Sequence, residues 1–264
     1  MSSLMFDLFV FILMNRITAG ANAAVTYDST CTCEQISTKA CMTYTCVSIP
    51  QEPKCFPGSS QIALDDGSFK ALSDIMIGDR VLVNKHNIHE PIIGFIHAKR
   101  NSLFDFLAIE IQSVAFNSSS TLMVSPNHLI FDFDSNNVRF AGYFRIGERV
   151  QVIHNNQIIP GEIISIQLTK QQGYYAPLTE SGTIVVNGVL ASNYATVSNH
   201  VLAHRIMSIY RWLIKFVATS TSSEQISWIL EVMWQMQQMI VWCGGDKLTG
   251  IHTYDGTFEV SGFV

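Results

Sequence analysis

A thiolate is a strong nucleophile, and a cysteine at the first position of a domain can attack the carbonyl just upstream of itself. Cys55, in Lys54-Cys55-Phe56-Pro57-Gly58-Ser59, stands at such a boundary, with Pro50, Pro53 and Pro57 around it. Composition alone also allows a disulfide between Cys55 and Cys243. Further on, Ser125-Pro126-Asn127-His128 sets a hydroxyl and an imidazole three residues apart beside a proline turn. Such a pair can polarise a carbonyl and protonate a leaving nitrogen. Taken alone, Ser-x-x-His is also the pattern of a satisfied loop histidine.

The elements that must position these residues read as strands. Short apolar runs separated by Gly, Asn and Asp predict strands over 61–64, 69–71, 81–83, 92–97, 104–111, 121–124, 129–133, 150–153, 163–168 and 183–186. Asp65-Asp66-Gly67 supplies a hairpin turn. This density of short strands predicts an all-β domain. An internal repeat sharpens the reading: Ile77-Gly78-Asp79-Arg80-Val81 returns as Ile146-Gly147-Glu148-Arg149-Val150, with Pro91 and Pro160 equally spaced after them. Two copies make no solenoid, so the expectation is a pseudo-symmetric pair of intertwined β units.

Around this core lie segments of different texture. Leu4 to Met14 is an apolar run too short to span a bilayer, followed by Ala21-Asn22-Ala23, so 1–23 reads as a secretory signal peptide. Cys31, Cys33, Cys41 and Cys46 then crowd into a small module and linker at 24–54, and in a secreted chain such a set is a disulfide framework of unresolved pairing. Zinc is the weaker alternative. After Asn199 the period becomes helical. His204, Arg205, Ser208, Arg211 and Lys215 form one stripe, and a second helix rich in Trp and Met runs towards Gly244-Gly245. That surface suits either a lipophile or packing on the β domain. With 16 Lys+Arg against 21 Asp+Glu, a net charge of −5, nucleic acid is an unexpected partner. A 48% apolar share with 14% charged residues excludes a disordered chain.

Together these residues resemble the autoprocessing domain of hedgehog proteins, of the Hint class shared with inteins. The resemblance rests on Cys55-Phe56 with Pro57-Gly58-Ser59, on Ile77-Gly78-Asp79-Arg80-Val81-Leu82, and on Ser125-Pro126-Asn127-His128-Leu129, where the family usually has Thr-x-x-His. It continues through Ala176-Pro177-Leu178-Thr179-Glu180-Ser181-Gly182-Thr183-Ile184-Val185-Val186-Asn187, Val189-Leu190-Ala191-Ser192-Asn193-Tyr194-Ala195, Leu202-Ala203-His204 and Gly250-Ile251-His252. It implies a pseudo-two-fold Hint domain at 55–199 and a helical sterol- or lipid-recognition region at 200–264.

The resemblance also implies a reaction. Cys55 attacks the Lys54 carbonyl in an N-to-S acyl shift, His128 protonates the departing amide nitrogen, and Ser125 hydrogen-bonds near the scissile peptide. A sterol hydroxyl, as co-substrate, then cleaves the thioester and leaves an esterified Cys-rich fragment with its own unidentified receptor. His97 stands where the family usually has a carboxylate base, and a neutral imidazole can serve as one. No cofactor or metal is implied. Lys54 replaces the family's Gly, and Asn193 replaces the cysteine of Ser-Cys-Tyr-Ala, so no second thiol can pair with Cys55 there. Hydrolysis of the thioester and a non-catalytic Hint scaffold are the competing readings. Protein splicing fails, because Asn193 lies between Ser192 and Tyr194 rather than after His and before a nucleophile.

Overall fold

The computed structural model describes residues 29–37, 40–48, 55–113, 118–195, 204, 208 and 254–264. In chain order its strands begin with β1 Thr30–Ser37, β2 Ala40–Val47, β3 Gln61–Ala63, β4 Phe69–Ala71, β5 Arg80–Leu82, β6 His89–Pro91, β7 Gly94–Ser113 and β8 Ser118–Val124. There follow β9 His128–Phe131, β10 Val138–Phe140, a 3-10 turn at Ala141–Tyr143, β11 Arg149–His154, β12 Gln157–Leu178, β13 Thr183–Val186, β14 Val189–Ala195, β15 Thr257–Val260 and β16 Gly262–Phe263. Each strand expected from the sequence overlaps one of these. The spans 92–97 and 104–111 are parts of a single strand, β7.

The spine is the antiparallel pair of β7 and β12, registered from Ser113 opposite Gly161 to Gly94 opposite Leu178. Three irregularities, at Ile163/Ser165, Gln172/Tyr174 and Ala176/Pro177, interrupt the ladder. Bulges of this kind bend and twist a strand, which lets so long a ribbon fold over one core. The path through the large sheet runs β4-β3-β13-β14-β11-β12-β7-β8, with β9 on β14 and β16 on β12. Its core is Val, Ile, Leu and Phe, including the fully buried Phe56, Ile62, Leu72, Ile109 and Leu122.

The repeat is built twice by the same hydrogen bonds. Gly78 N–H donates to Ile92 O and Gly147 N–H to Ile163 O, both at 2.8 Å. Both glycines take positive φ, +97° and +87°, where a Cβ would be strained. The next acidic side chain closes each turn, Asp79 accepting from Met76 N–H and Glu148 from Arg145 N–H, each at 2.8 Å. Arg80 pairs with Asp65, and Arg149 with Asp134. The offset between equivalent residues is 69 from Asp65 and Asp134 to Arg80 and Arg149, which relates β4 to β10 as well, and it becomes 71 at Ile92 and Ile163.

Within 24–54, β1 and β2 form a hairpin that joins β15 in a three-stranded sheet, order β1-β2-β15. Beyond the expected helices, the chain forms strands β15 and β16. Such short strands lack a helix's hydrophobic period, and their partners are remote in sequence. The cysteines of the hairpin pair as Cys31–Cys46 and Cys33–Cys41. Cys55 is a free, buried thiol. Residues 1–23, Lys54, Cys243 and the expected helices lie outside the described residues, apart from His204 and Ser208, which are helical.

Candidate active site

Cys55 sits where the two halves meet. Next to it, Phe56 forms an isolated bridge to β12, its N–H donating to Tyr175 O at 3.2 Å and its carbonyl accepting from Tyr175 N–H at 2.8 Å. The Cys55 carbonyl accepts from Ser125 N–H at 3.0 Å, which ties the head of the first half to the head of the second. Ser125-Pro126-Asn127-His128 is a turn closed by His128 N–H to Ser125 O at 3.0 Å. Proline suits the second position of such a turn because its φ is already set. The turn delivers His128 as the first residue of β9. Cys55, Ser125 and His128 are all buried, at 2%, 2% and 0% exposure.

Burial dictates the charge states. It pushes the Cys55 thiol far above the ordinary cysteine range. It pulls His128 down to about 3, only partly offset by the Ser192 carbonyl. That carbonyl lies 2.7 Å from His128 Nε2. A carbonyl only accepts, so Nε2 carries the hydrogen and Nδ1 of the neutral ring carries the lone pair. Nδ1 is buried without a partner among the described residues. The Phe56 ring stands edge-on to the imidazole at 4.4 Å between centroids and supplies the apolar wall. A neutral thiol and a neutral imidazole can pass one proton between them without burying net charge.

His97 belongs to the same neighbourhood. It is half-buried in β7 and registers with Ala176 of β12. Phe56 bridges Tyr175, so Cys55, Ala176 and His97 follow one row across three adjacent backbones. Residues in one row face the same side of a sheet, and two strand spacings amount to about 10 Å between backbones. The central position is filled by a buried alanine.

Asn193 is buried in β14. Its Nδ2 donates to Thr179 Oγ1 at 2.8 Å, and Thr179 Oγ1 donates to Thr183 O at 2.9 Å. Its own N–H donates to Gly182 O at 2.9 Å. Asn193, next in sequence to Ser192, is therefore tied into a hydrogen-bonded network with Thr179, Thr183 and Gly182. Tyr194 Oη, one residue on, lies 2.9 Å from His204 Nδ1. Ser192, Phe56 and Ala176 are site residues to which sequence reasoning gave no role. Ser192 contributes a backbone oxygen, which no side-chain pattern can reveal, Phe56 meets the His128 ring only in the folded chain, and Ala176 becomes a neighbour of the chemistry only through the register of β12. Among the described residues no three His, Cys, Asp or Glu side chains gather as a metal would need.

Residues 45–242 match the family model described as the Hint module. The chain is 29% identical over 220 residues to Protein hedgehog of Drosophila melanogaster, covering 80% of this chain and 44% of that protein. To the Sonic hedgehog protein of Danio rerio it is 28% identical over 205 residues, covering 69% of this chain and 48% of that one. It thus spans less than half the length of these relatives. Among solved structures, a KlbA intein precursor from Methanococcus jannaschii aligns at 13% identity and a TM-score of 0.41, over 55% of this chain and 93% of that one. A duplicated all-β frame together with a family match over most of its length makes this chain a member of the Hint-module family, of the hedgehog type.

Proposed function

We propose that the chain cuts itself at the Lys54–Cys55 peptide and transfers the freed acyl group to the hydroxyl of a sterol-like lipophilic alcohol. The observation that carries this is the free, buried Cys55 held by a backbone hydrogen bond against the Ser125-to-His128 turn. In the first step the Cys55 sulfur bonds to the Lys54 carbonyl carbon as the carbon–nitrogen bond breaks. The thiol proton ends on the new α-amine, relayed by the neutral His128 ring. No net charge is created in the product pair, which suits a buried site. In the second step the alcohol oxygen attacks the thioester. His97 takes the hydroxyl proton and returns it to the departing Cys55 sulfur, leaving an ester on Lys54.

The fragment that receives the alcohol is the Cys-rich segment ending at Lys54, and we assign it to the secretory pathway and the extracellular face of membranes. Two disulfides in that segment support an oxidising compartment. A second reading ends in hydrolysis. It is favoured by one fact, an imidazole at position 97 where the hedgehog pattern has a carboxylate. Intact-mass analysis of the purified precursor, with hydroxylamine, with sterol and with neither, separates the readings. Ester on the N-terminal fragment is expected with sterol. A free carboxyl at the same rate with or without sterol supports hydrolysis. Cleavage of Cys55→Ala at the wild-type rate removes the acyl shift altogether.

A further inference from the structure

A hairpin of two strands is marginal in water and needs a third strand or a packed face to hold its shape. In this chain the hairpin β1–β2 lies on the N-terminal side of the proposed cut, and its third strand, β15, lies on the other. β2 and β15 pair antiparallel over Val47–Thr257, Cys46–Phe258, Thr45–Glu259 and Tyr44–Val260. The pairing continues beyond the ladder: Ser48 N–H donates to Gly256 O at 2.9 Å, and Ser48 Oγ to the same oxygen at 3.2 Å.

The seat is fixed to the rest of the domain. Phe258 and Val260 are 1% and 2% exposed, and with the fully buried Cys46 they belong to the main core. Gly142 in the 3-10 turn lies under Tyr254 and Phe258: a Cβ added there would run into the Tyr254 hydroxyl and come within 3.1 Å of the Phe258 Cβ, so the strand packs closely on bare backbone. Glu259 pairs with Arg145 at 3.1 Å. On the hairpin's side, Ser29 N–H donates at 3.0 Å to Asp105, a nearly buried carboxylate of β7 that also holds Lys170 at 3.2 Å. The Tyr44 ring meets Phe263 of β16 edge-on at 4.8 Å.

We propose that cleavage does not free the N-terminal fragment: the hairpin β1–β2 stays seated on β15, and the cut protein is a non-covalent two-chain complex. The cut itself rests on the self-cleavage reading, whereas the seat does not. The contacts of Ser29 and of Tyr44 to Ser48 join the N-terminal side of the cut to residues from Cys55 onward, and none uses the linker that is severed. Two disulfides keep the hairpin in its binding shape, so little ordering is lost on staying bound. Strand addition to a sheet edge, with one apolar side chain in the core, is an established mode of holding a peptide.

The test cuts the full-length protein in two independent ways under non-reducing conditions. Hydroxylamine discharges the thioester without opening disulfides. A specific-protease site replacing residues 49–53, in a Cys55→Ala background, cuts the linker without any self-cleavage. Native mass spectrometry and gel filtration at about 1 µM should find both cut forms as one-to-one complexes, less than a tenth dissociated after an hour. Elution of the fragment by itself from the protease-cut protein overturns the proposal. Failure of hydroxylamine alone to cut removes the self-cleavage reading and leaves the seat standing on the protease result. In the cut protein Phe258→Asp should raise the dissociated share at least tenfold, and unchanged retention overturns the seat on β15. Should that variant not fold, hydrogen exchange decides: the amides of β2 in the wild type should be equally protected before and after cutting, and their loss of protection on cutting overturns it.

Discussion

In the first half of the duplicated frame Lys70 reaches Asp79 at 2.7 Å, one charge against one. At the equivalent place in the second half Arg139 holds Asp132 at 2.7 Å, both oxygens of Glu148 at 3.1 and 3.2 Å and the Tyr143 carbonyl at 2.9 Å, and its guanidinium covers the Phe144 ring at 4.4 Å. A lysine is a point charge on a flexible stem, while an arginine is a planar fork that fixes several partners at once. The stiffer brace is found where the harder positioning task lies. Arg139 sits in β10 opposite Ile130 of β9, the strand that His128 opens. Cys55 is positioned differently, by the backbone bridge from Phe56 to Tyr175. Duplication thus supplied one turn twice, and the two copies were then stiffened according to what each must hold.

The comparison can be broken most decisively at the heads of the two halves. His128→Ala should slow thioester formation on the order of 10²–10⁴-fold, because the amide nitrogen departs poorly without a proton. Its counterpart by the repeat is the exposed Ser59, and Ser59→Ala should leave the rate within about twofold, as surface changes usually do. Equal effects, read by intact mass, would mean that the halves are not specialised.

The pH dependence of stability comes next. His128 has its folded pKa depressed from 6.5 to about 3 by burial, so between those values the unfolded chain binds a proton that the folded chain refuses. Its contribution is fully present above 6.5 and is lost as pH falls towards 3, a change on the order of a few kcal/mol. Asp79, held below the usual carboxylate value of 3.8 by its bond from Lys70, loses its contribution only at more acid pH. Urea unfolding at intervals from pH 7 to 4 should therefore show a slope that His128→Phe removes. A slope that survives the substitution locates the sensitivity elsewhere.

Smaller effects separate the two braces. Arg139→Ala leaves the nearly buried Asp132 without its cation and should cost about 2–3 kcal/mol. Lys70→Ala removes a more exposed pair and should cost about 1 kcal/mol or less. Denaturant midpoints check the order, and a reversed order contradicts the division of labour. Smallest of all, Arg139→Lys should recover only part of the loss, since a lysine cannot reproduce the fork.

How far residues could be read before folding depended on whether their signal was local. The duplicated Ile-Gly-acid-Arg-Val turn, the alternating strands and the Ser125-to-His128 turn each carry their cause within a few residues. The hairpin β1–β2 does not. β1 is largely exposed, with Ile36 77% exposed, and shows no inward stripe, so nothing near it in sequence announces β15 as partner. Likewise the Cys55–Ala176–His97 row exists only through the register of β12 with its neighbours, which bulges shift by a residue at a time. Asn193 looked like a lost thiol, and the Thr179 hydroxyl shows what it is paired with instead.

The bond from Ser48 to Gly256 spans 208 residues of chain. During synthesis at roughly 5–20 residues per second, the hairpin leaves the ribosome about 10–40 s before the strand it must pair with. Through that interval its disulfides can form, but the three-stranded sheet cannot. Contacts this distant in sequence must wait for loop closure and are slow to form even in a complete chain. The Cys55 head and the His128 turn, only 73 residues apart, meet long before then. The order of synthesis therefore lets the reactive junction assemble first and the clasp over the N-terminal hairpin last. A nascent chain halted before residue 254 would carry a folded frame with its hairpin still unclasped.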